Sequence, residues 1–284
     1  MILGGKELSV QHQKPHNPIK IKLGHPLWMP FFYSNFTFVS CNLNMFIHLD
    51  TTDSTNSHLR RMIDNGAELP DYTIVYATEQ TSGRGQRGNS WESEPGKNAI
   101  FSLLYSPIAI PATRQFILSQ VIALSIADTL SKYTEGISIK WPNDIYWHDK
   151  KISGTLIECD LKGKNVCTCI IGCGVNINQT EFLSDAPNPV SLKMITGMTY
   201  DPLAIINEIV DEFQNIYRNA SIGSIIARYM QKLYRNDGLL HAYEDANGPF
   251  LASIHGIEPT GHLLLQTADG DIRRYEFKEV KFII

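Results

Sequence analysis

The stretch TSGRGQRGNSW, residues 81–91, combines three glycines with two arginines and contains no acidic residue. It follows YTIVYAT (72–78), a β-branched and aromatic segment that predicts a strand. Glycines let a backbone approach a ligand and turn its N–H groups toward it, and arginine guanidinium groups suit phosphate or carboxylate oxygens. The spacing matches neither GxGxxG nor GxxxxGK[ST]. Taken alone, the stretch fits an anion-binding loop and a solvated turn equally well.

The composition is that of an ordinary globular protein, with 43% hydrophobic and 19% charged residues in 284. A formal net charge of −4 argues against broad binding to nucleic acids or anionic membranes, which requires a basic surface. The five cysteines are odd in number and contain no CxxC pair, which argues against a disulfide framework. Cys167, Cys169 and Cys173 alternate in a predicted strand and are interpreted as buried apolar residues rather than metal ligands. A reducing, cytoplasmic location is therefore expected.

The first 44 residues differ from the rest of the chain. Residues 1–26 are polar and irregular, and residues 26–43 are aromatic but too short and too interrupted to span a bilayer as a helix. The features of a signal peptide fit this segment poorly. We expect residues 1–44 to be a poorly ordered extension or an upstream start-site artefact, with ordered protein beginning near Met45. No N-terminal helix-turn-helix is visible.

The remaining chain alternates between strand and helix patterns before it becomes entirely β. Strands are predicted at 45–50, 72–78, 98–107, 137–144, 145–160 and 166–178, and helices at 53–66, 114–133, 203–217 and 222–234. After Gly238 only short strands follow, separated by turns rich in glycine and aspartate. This order predicts an α+β domain at 45–236 and a small β domain at 237–284.

Three further segments carry polar residues where predicted elements begin or end. KWPND (140–144) offers an ammonium for phosphate oxygens and an Asn-Asp pair that could hold magnesium, although alone an ordinary proline turn is the simpler interpretation. The hydroxyls of DSTN (53–56) either cap a helix or bind a ligand beside its positive end. GCGVNIN (172–178) ends a strand with two glycines and two asparagines.

Together these four segments resemble the biotin protein ligases, in which STN, GRGRxG, KWPND and G(V/I)N motifs occur in this order. Here they stand as Ser54-Thr55-Asn56, Gly83-Arg84-Gly85-Gln86-Arg87-Gly88, Lys140 to Asp144, and Gly174-Val175-Asn176. The resemblance runs from about Phe46 to Asn178, and HGIEPTGHLLLQTADG (255–270) looks like the family's SH3-like tail.

The resemblance implies a mixed β-sheet catalytic domain flanked by helices, of the class II synthetase-like biotin/lipoate ligase fold, with a small C-terminal SH3-like β-barrel. The chain looks like the ligase-only type, without the DNA-binding domain of repressor-type members. Two positions depart from the family pattern. Gln86 replaces a frequent arginine, and Thr155 replaces an aliphatic residue in KISGTLIE (151–158).

The implied reaction has two steps and uses ATP, biotin and Mg²⁺. The biotin carboxylate attacks the α-phosphate of ATP to give biotinyl-5'-AMP, and a lysine of a biotin carboxyl carrier domain then accepts the biotin. Arg84 and Lys140 are the implied catalytic residues. No DNA or membrane partner is expected, and a homodimer is left open. Magnesium is expected to be carried by ATP, with Asp144 as a candidate ligand and no other protein metal site.

The resemblance also implies which residues bind each substrate. The biotin-binding residues would be Ser54, Thr55, Asn56, Gln80, Gly83, Arg84, Gly85, Gln86, Lys140, Gly154 and Leu156. The residues on the adenylate side would be Arg84, Arg87, Trp91, Lys140, Asn143 and Asn176. Trp91 alone is equally well interpreted as a packed core residue.

Three alternatives remain beside this interpretation. A lipoate protein ligase shares the fold and the adenylate chemistry, but the loop together with KWPND favours biotin. A biotin-sensing repressor would require an N-terminal helix pair. A non-catalytic RNA-binding module with an arginine–glycine loop is disfavoured by the acidic net charge.

Overall fold

The computed structural model describes residues 38–41, 44–107, 109–184 and 188–284. Most of the segment at 1–44 therefore lies outside the described residues. The first described element is a strand, β1 (Phe38–Cys41), which pairs with the strand that contains Met45. The described residues fall within one compact unit.

A mixed sheet of eight strands forms the centre of the larger part of the molecule. Its order is β1-β2-β3-β4-β8-β7-β6-β5. Only β2 and β3 run parallel, while every other neighbouring pair is antiparallel. The strands after β1 are β2 (Asn44–Thr52), β3 (Ile74–Gln80), β4 (Ala99–Tyr105), β5 (Ile137–Lys140), β6 (Asp144–Trp147), β7 (Lys150–Lys162) and β8 (Asn165–Val175).

Helices cover both faces of this sheet. On one face α1 buries Leu59 against a small core that includes Ile47, Val75 and Ile170. On the other face α2 is buried on nearly every side because it packs against α4 and α5 as well as strands. The helices are α1 (Thr55–Asp64), α2 (Phe116–Leu130), α3 (Leu192–Thr196), α4 (Pro202–Asn219) and α5 (Ile222–Gln231).

The short helix α3 is the one helix of this set that the sequence patterns did not predict. Ser191 caps it by accepting a hydrogen bond from the Met194 N–H at 3.2 Å. Gly197 ends it at a φ of 78°, a conformation that favours glycine. Five residues are too few to show a helical period, so the caps were its only signal.

The C-terminal part forms a separate antiparallel sheet of five strands in the order β12-β11-β10-β9-β13. This arrangement is consistent with an SH3-like domain, and the α+β class with a mixed sheet is confirmed. The strands are β9 (His241–Asp245), β10 (Gly248–Ile257), β11 (Leu263–Thr267), β12 (Ile272–Tyr275) and β13 (Lys281–Phe282).

One hydrophobic core continues from the large sheet into the small one. Phe116 of α2 and Trp141 belong to the same buried cluster as Tyr243 and Leu265 of the C-terminal strands. No helix in the described ranges is both long and apolar enough to cross a membrane.

Candidate functional site

A cleft of about 1210 Å³ opens where the four motifs meet. Its walls come from the start of α1, the loop after β3, the β5–β6 turn and the strands β7 and β8. The C-terminal segment adds Phe282 and Ile284 to the lining. Fourteen of the sixteen candidate residues line this cleft: Ser54, Thr55, Asn56, Gln80, Arg84, Gly85, Gln86, Trp91, Lys140, Asn143, Asp144, Gly154, Leu156 and Asn176.

Two of the candidate residues are not in the described lining. Gly83 lies at the base of the loop, where an added Cβ would come within 2.4 Å of the Trp91 carbonyl oxygen. The side chain of Arg87 lies outside the described part of the chain. Arg84 and Lys140, which come from distant parts of the sequence, do face one common space.

The arginine–glycine loop (Thr81–Trp91) has a hairpin-like structure of its own. The Trp91 N–H donates to the Gly83 carbonyl at 2.9 Å, and the Gly85 N–H donates to the Asn89 carbonyl. A short 3-10 helix, Gln86–Gly88, forms its tip, where Gly88 has a φ of 86°. The loop therefore has bonds of its own beside those that join Thr81 and Ser82 to Thr52 and Asp53.

A glycine platform underlies the Trp91 indole ring. Gly154 of β7 and Gly174 of β8 are register partners, and an added Cβ at Gly174 would lie 2.3 Å from Trp91 Cε2. The indole N–H is buried and has no hydrogen-bond partner within the described chain. A buried donor without a partner costs about 1–3 kcal/mol, so this group is suited to a ligand acceptor in the cleft.

Asn176 provides a second unpaired group on the same wall. Its Nδ2 donates to the Val190 carbonyl at 3.1 Å, which fixes the orientation of the amide. Its Oδ1 is buried and lacks a partner among the described residues. The wall thus presents an unpaired donor on Trp91 and an unpaired acceptor on Asn176, a combination that fits a polar heterocycle.

Hydrogen bonds also link the start of α1 to the end of β3. Gln80 Oε1 accepts from the Thr55 N–H at 2.8 Å and from Thr55 Oγ1 at 3.2 Å. Asn56 Nδ2 donates to Glu158 Oε2 at 2.9 Å and to the Leu156 carbonyl at 3.3 Å. These residues are fixed before any ligand binds.

Ser102 and Glu158 complete this network, and neither was predicted from the sequence. The fully buried Ser102 Oγ lies 2.7 Å from Thr55 Oγ1 and 2.5 Å from Asn56 Oδ1. Glu158 accepts two bonds from the Arg84 guanidinium group, at 3.2 and 2.9 Å. The available signals were a lone hydroxyl in the apolar strand AIFSLLY and an acid at the end of KISGTLIE.

Lys140 lines the cleft beside two aromatic rings. Burial lowers the pKa of its ammonium group, against an opposing effect of the Asp144 carboxylate. The ring centres of Tyr146 and Phe282 are 5.3 and 4.7 Å from Nζ. Within the described residues Lys140 has no salt bridge and no hydrogen bond.

Asp144, the candidate magnesium ligand, pairs with another cation. Its Oδ1 lies 2.8 Å from Lys151 Nζ. No group of three or more His, Cys, Asp or Glu side chains in the described ranges could hold a metal ion. Asp144 would have to exchange Lys151 for magnesium in order to bind it.

Comparisons with known proteins identify relatives of this chain. A relative from Bacillus subtilis, the bifunctional ligase/repressor BirA, is 31% identical over 234 residues, covering 79% of this chain and 70% of the relative. Residues 49–176 match the biotin/lipoate A/B protein ligase family. The chain belongs to this family.

The chain is also similar to two further biotin ligases. The biotin–[acetyl-CoA-carboxylase] ligase of Paracoccus denitrificans is 31% identical over 172 residues, covering 58% of this chain and 70% of that relative. The solved biotin protein ligase from Aquifex aeolicus in complex with biotin and ATP superposes with a TM-score of 0.69 at 26% identity, covering 85% of this chain and all of that one.

Proposed function

We propose that this chain is a biotin protein ligase that activates biotin with ATP and transfers it to a lysine of a biotin carboxyl carrier domain. The observation that carries the proposal is that Arg84 and Lys140 line one cleft together with the STN and G(V/I)N motifs. The Aquifex relative was solved with biotin and ATP, and the Paracoccus relative is named for a biotin-dependent carboxylase, which supports this substrate choice over lipoate.

The biotin ring would bind beside the start of α1. Thr55, Asn56 and Gln80 provide donors and acceptors that neighbouring residues already orient. The ureido group of biotin requires such matched partners in an otherwise apolar pocket. Ser54, Gly85, Gln86, Gly154 and Leu156 line the same region, and Gly83 supports it from the base of the loop.

The nucleotide would occupy the space toward Lys140. Trp91 and Asn176 offer the two unpaired polar atoms, Asn143 lies in the lining, and Arg87 is assigned here by the motif alone. Magnesium bound to the phosphates would neutralise part of their charge.

The first chemical step must bring two anions together. A carboxylate and a phosphate oxygen about 4 Å apart repel by about 4 kcal/mol per unit pair at an effective dielectric near 20. Lys140, whose ammonium group forms no salt bridge in the described chain, can direct its charge at the phosphate. Such preorganised donors are worth about 3–4 kcal/mol each in the transition state.

Arg84 must exchange partners to take part in this step. It is bound to Glu158 in a pair whose side chains are 42% and 33% exposed. Partly exposed ion pairs contribute about 1 kcal/mol or less, so the anionic phosphate oxygens of ATP can compete with Glu158 for the guanidinium group. Glu158 then keeps its bond to Asn56 and continues to hold the biotin side in place.

We also propose that the protein works in the cytoplasm. The four described cysteines, Cys159, Cys167, Cys169 and Cys173, are all free thiols. The sequence has an odd number of cysteines and no CxxC pair, which fits a reducing compartment.

Label transfer tests the proposed function directly. The protein is incubated with ATP, magnesium, labelled biotin and a carrier domain, and labelled lipoate replaces biotin in a parallel reaction. We expect biotin on one carrier lysine and no transfer of lipoate. Preferential transfer of lipoate, or transfer of neither label, would refute the assignment.

Lys140→Ala provides the matched control for this assay. We expect it to abolish biotin-dependent pyrophosphate exchange, because it removes the cation that faces the phosphate. The thermal unfolding midpoint should not fall, because Lys140 forms no salt bridge within the described residues. Retained pyrophosphate exchange in this variant would show that the reaction does not require Lys140.

A further inference from the structure

The ammonium group of Lys140 is held by aromatic rings rather than by an acid. Phe282 and Tyr146 place their ring centres 4.7 and 5.3 Å from Nζ. The nearby carboxylate of Asp144 is bound by Lys151 at 2.8 Å. A buried cation is usually stabilised by an ion pair. Within the described chain Lys140 has no such ion pair.

Phe282 reaches this position from the other sheet. It lies in β13, where it is the register partner of Tyr243 in β9. The two rings meet edge to face with centres 4.9 Å apart, and Tyr243 is fully buried. The Phe282 ring therefore packs against a buried ring of its own sheet, and this contact restrains its position.

A second contact fixes the C-terminal sheet to the same KWPND segment. Trp141 Nε1 donates a hydrogen bond to the Gly261 carbonyl at 2.8 Å. The Trp141 ring also packs against Phe277 with centres 5.4 Å apart. Adjacent residues of one motif, Lys140 and Trp141, are thus both held by the C-terminal sheet.

An aromatic face and a carboxylate differ in whether they leave the charge and the hydrogen-bond donors of an ammonium group available to a ligand. It attracts a cation through its quadrupole and does not neutralise the charge. A carboxylate partner would compete with phosphate for the ammonium group, whereas a ring fixes the position of the ammonium and leaves its hydrogen-bond donors free. The arrangement suits a lysine that must bind a phosphate oxygen.

We propose that Phe282 is a positioning residue, through which the C-terminal sheet holds Lys140 toward the nucleotide. This inference rests on the proposed function, because it assumes that the Lys140 ammonium group binds the phosphates of ATP. Phe282 itself acts through Lys140. The C-terminal sheet then contributes to nucleotide binding as well as packing against the rest of the molecule.

A spectroscopic measurement tests the contact without any assay of activity. Protein labelled with ¹³C at lysine Cε is compared with Lys140→Arg to assign the Lys140 signal. Ring currents from two aromatic faces should shift the attached protons upfield. Phe282→Leu should reduce this shift, and Phe282→Trp should retain it. An ordinary lysine shift in the parent protein, or no change in Phe282→Leu, would overturn the proposal.

Steady-state pyrophosphate exchange tests the consequence. Phe282→Leu keeps an apolar side chain of similar size but loses the ring face. We expect its KM for ATP to rise about tenfold, with the KM for biotin changed by less than about twofold. Phe282→Trp should stay close to the parent. Leu251→Ala, at an exposed position of β10, controls for general damage to the C-terminal sheet.

The two measurements distinguish a failure of the positioning role of Phe282 from a failure of the proposed function. Equal effects of Phe282→Leu on both KM values, or an unchanged KM for ATP, would overturn the positioning role. Absence of exchange in the parent protein would instead refute the proposed function, while the lysine spectrum would still report whether Phe282 holds Lys140.

Discussion

At the scale of single residues, the cleft depends on side chains that do not line it. The Ser102 hydroxyl is fully buried in β4 and reaches both Thr55 and Asn56. Glu158 connects Asn56 to Arg84. Buried polar groups connected in this way restrain one another, because each broken bond leaves an unpaired atom in a region of low dielectric. The orientation of the residues proposed to bind biotin therefore depends on Ser102.

Ser102→Ala tests this dependence. We expect the KM for biotin to rise about tenfold and the free energy of unfolding to fall by about 1–3 kcal/mol, because Asn56 Oδ1 loses its donor. Pyrophosphate exchange and denaturant unfolding measure the two effects.

Ser125→Ala is the matched control. Ser125 is also fully buried, but its hydroxyl donates to the Val121 carbonyl within α2. This control should lower stability slightly but leave the KM for biotin unchanged. An unchanged KM in Ser102→Ala, or equal changes in both variants, would contradict the positioning role of Ser102.

At the scale of elements, the arginine–glycine loop is the part best suited to move. Its first residues are bonded to the end of β2, since the Thr81 N–H donates to the Thr52 carbonyl and the Ser82 N–H donates to the Asp53 carbonyl, while the bonds from Trp91 and Gly85 stay within the loop. Beyond these bonds, Arg84 connects the loop to the sheet through one partly exposed ion pair with Glu158, and such a pair opens at low cost. Closure over an acyl-adenylate would protect the mixed anhydride from water.

Amide hydrogen exchange should report this closure. We expect the amides of residues 81–91 to exchange about tenfold more slowly in the presence of biotin, ATP and magnesium, because ordering the loop suppresses its opening. The turn between β9 and β10 lies in the other sheet and serves as the internal control. Equal exchange in the loop with and without substrates would refute closure.

The elements also show how much of the fold and of the candidate site could be predicted from the sequence alone. The β-branched strands, the buried helix α2 and the C-terminal strands followed from local patterns, and the order of four motifs placed Arg84 and Lys140 in one site. The partners Ser102 and Phe282 could not be found in this way, because Ser102 is a lone hydroxyl in an apolar strand and Phe282 lies in a strand of two residues. Ser102 contacts α1 and Phe282 contacts Lys140 of the other sheet, and local sequence does not encode such distant contacts.

At the scale of the whole molecule, one core joins the two sheets. Phe116, Trp141, Tyr243 and Leu265 belong to a single buried cluster, although they lie on both sides of the proposed boundary near residue 237. Removal of either sheet would expose apolar surface of the other, at about 25 cal/mol per Å². The proposed domains at 45–236 and 237–284 should therefore behave as one cooperative unit.

Calorimetry tests this cooperativity. We expect one unfolding transition with a ratio of calorimetric to van't Hoff enthalpy of about 1. Trp141→Phe removes the donor to Gly261 and should lower the single midpoint by about 3 °C without splitting it. Trp147→Phe makes the same substitution where the described structure has no Nε1 hydrogen bond, and it should cost less. Two separate transitions, in the parent protein or in Trp141→Phe, would show that the sheets unfold independently and that the shared core does not couple them.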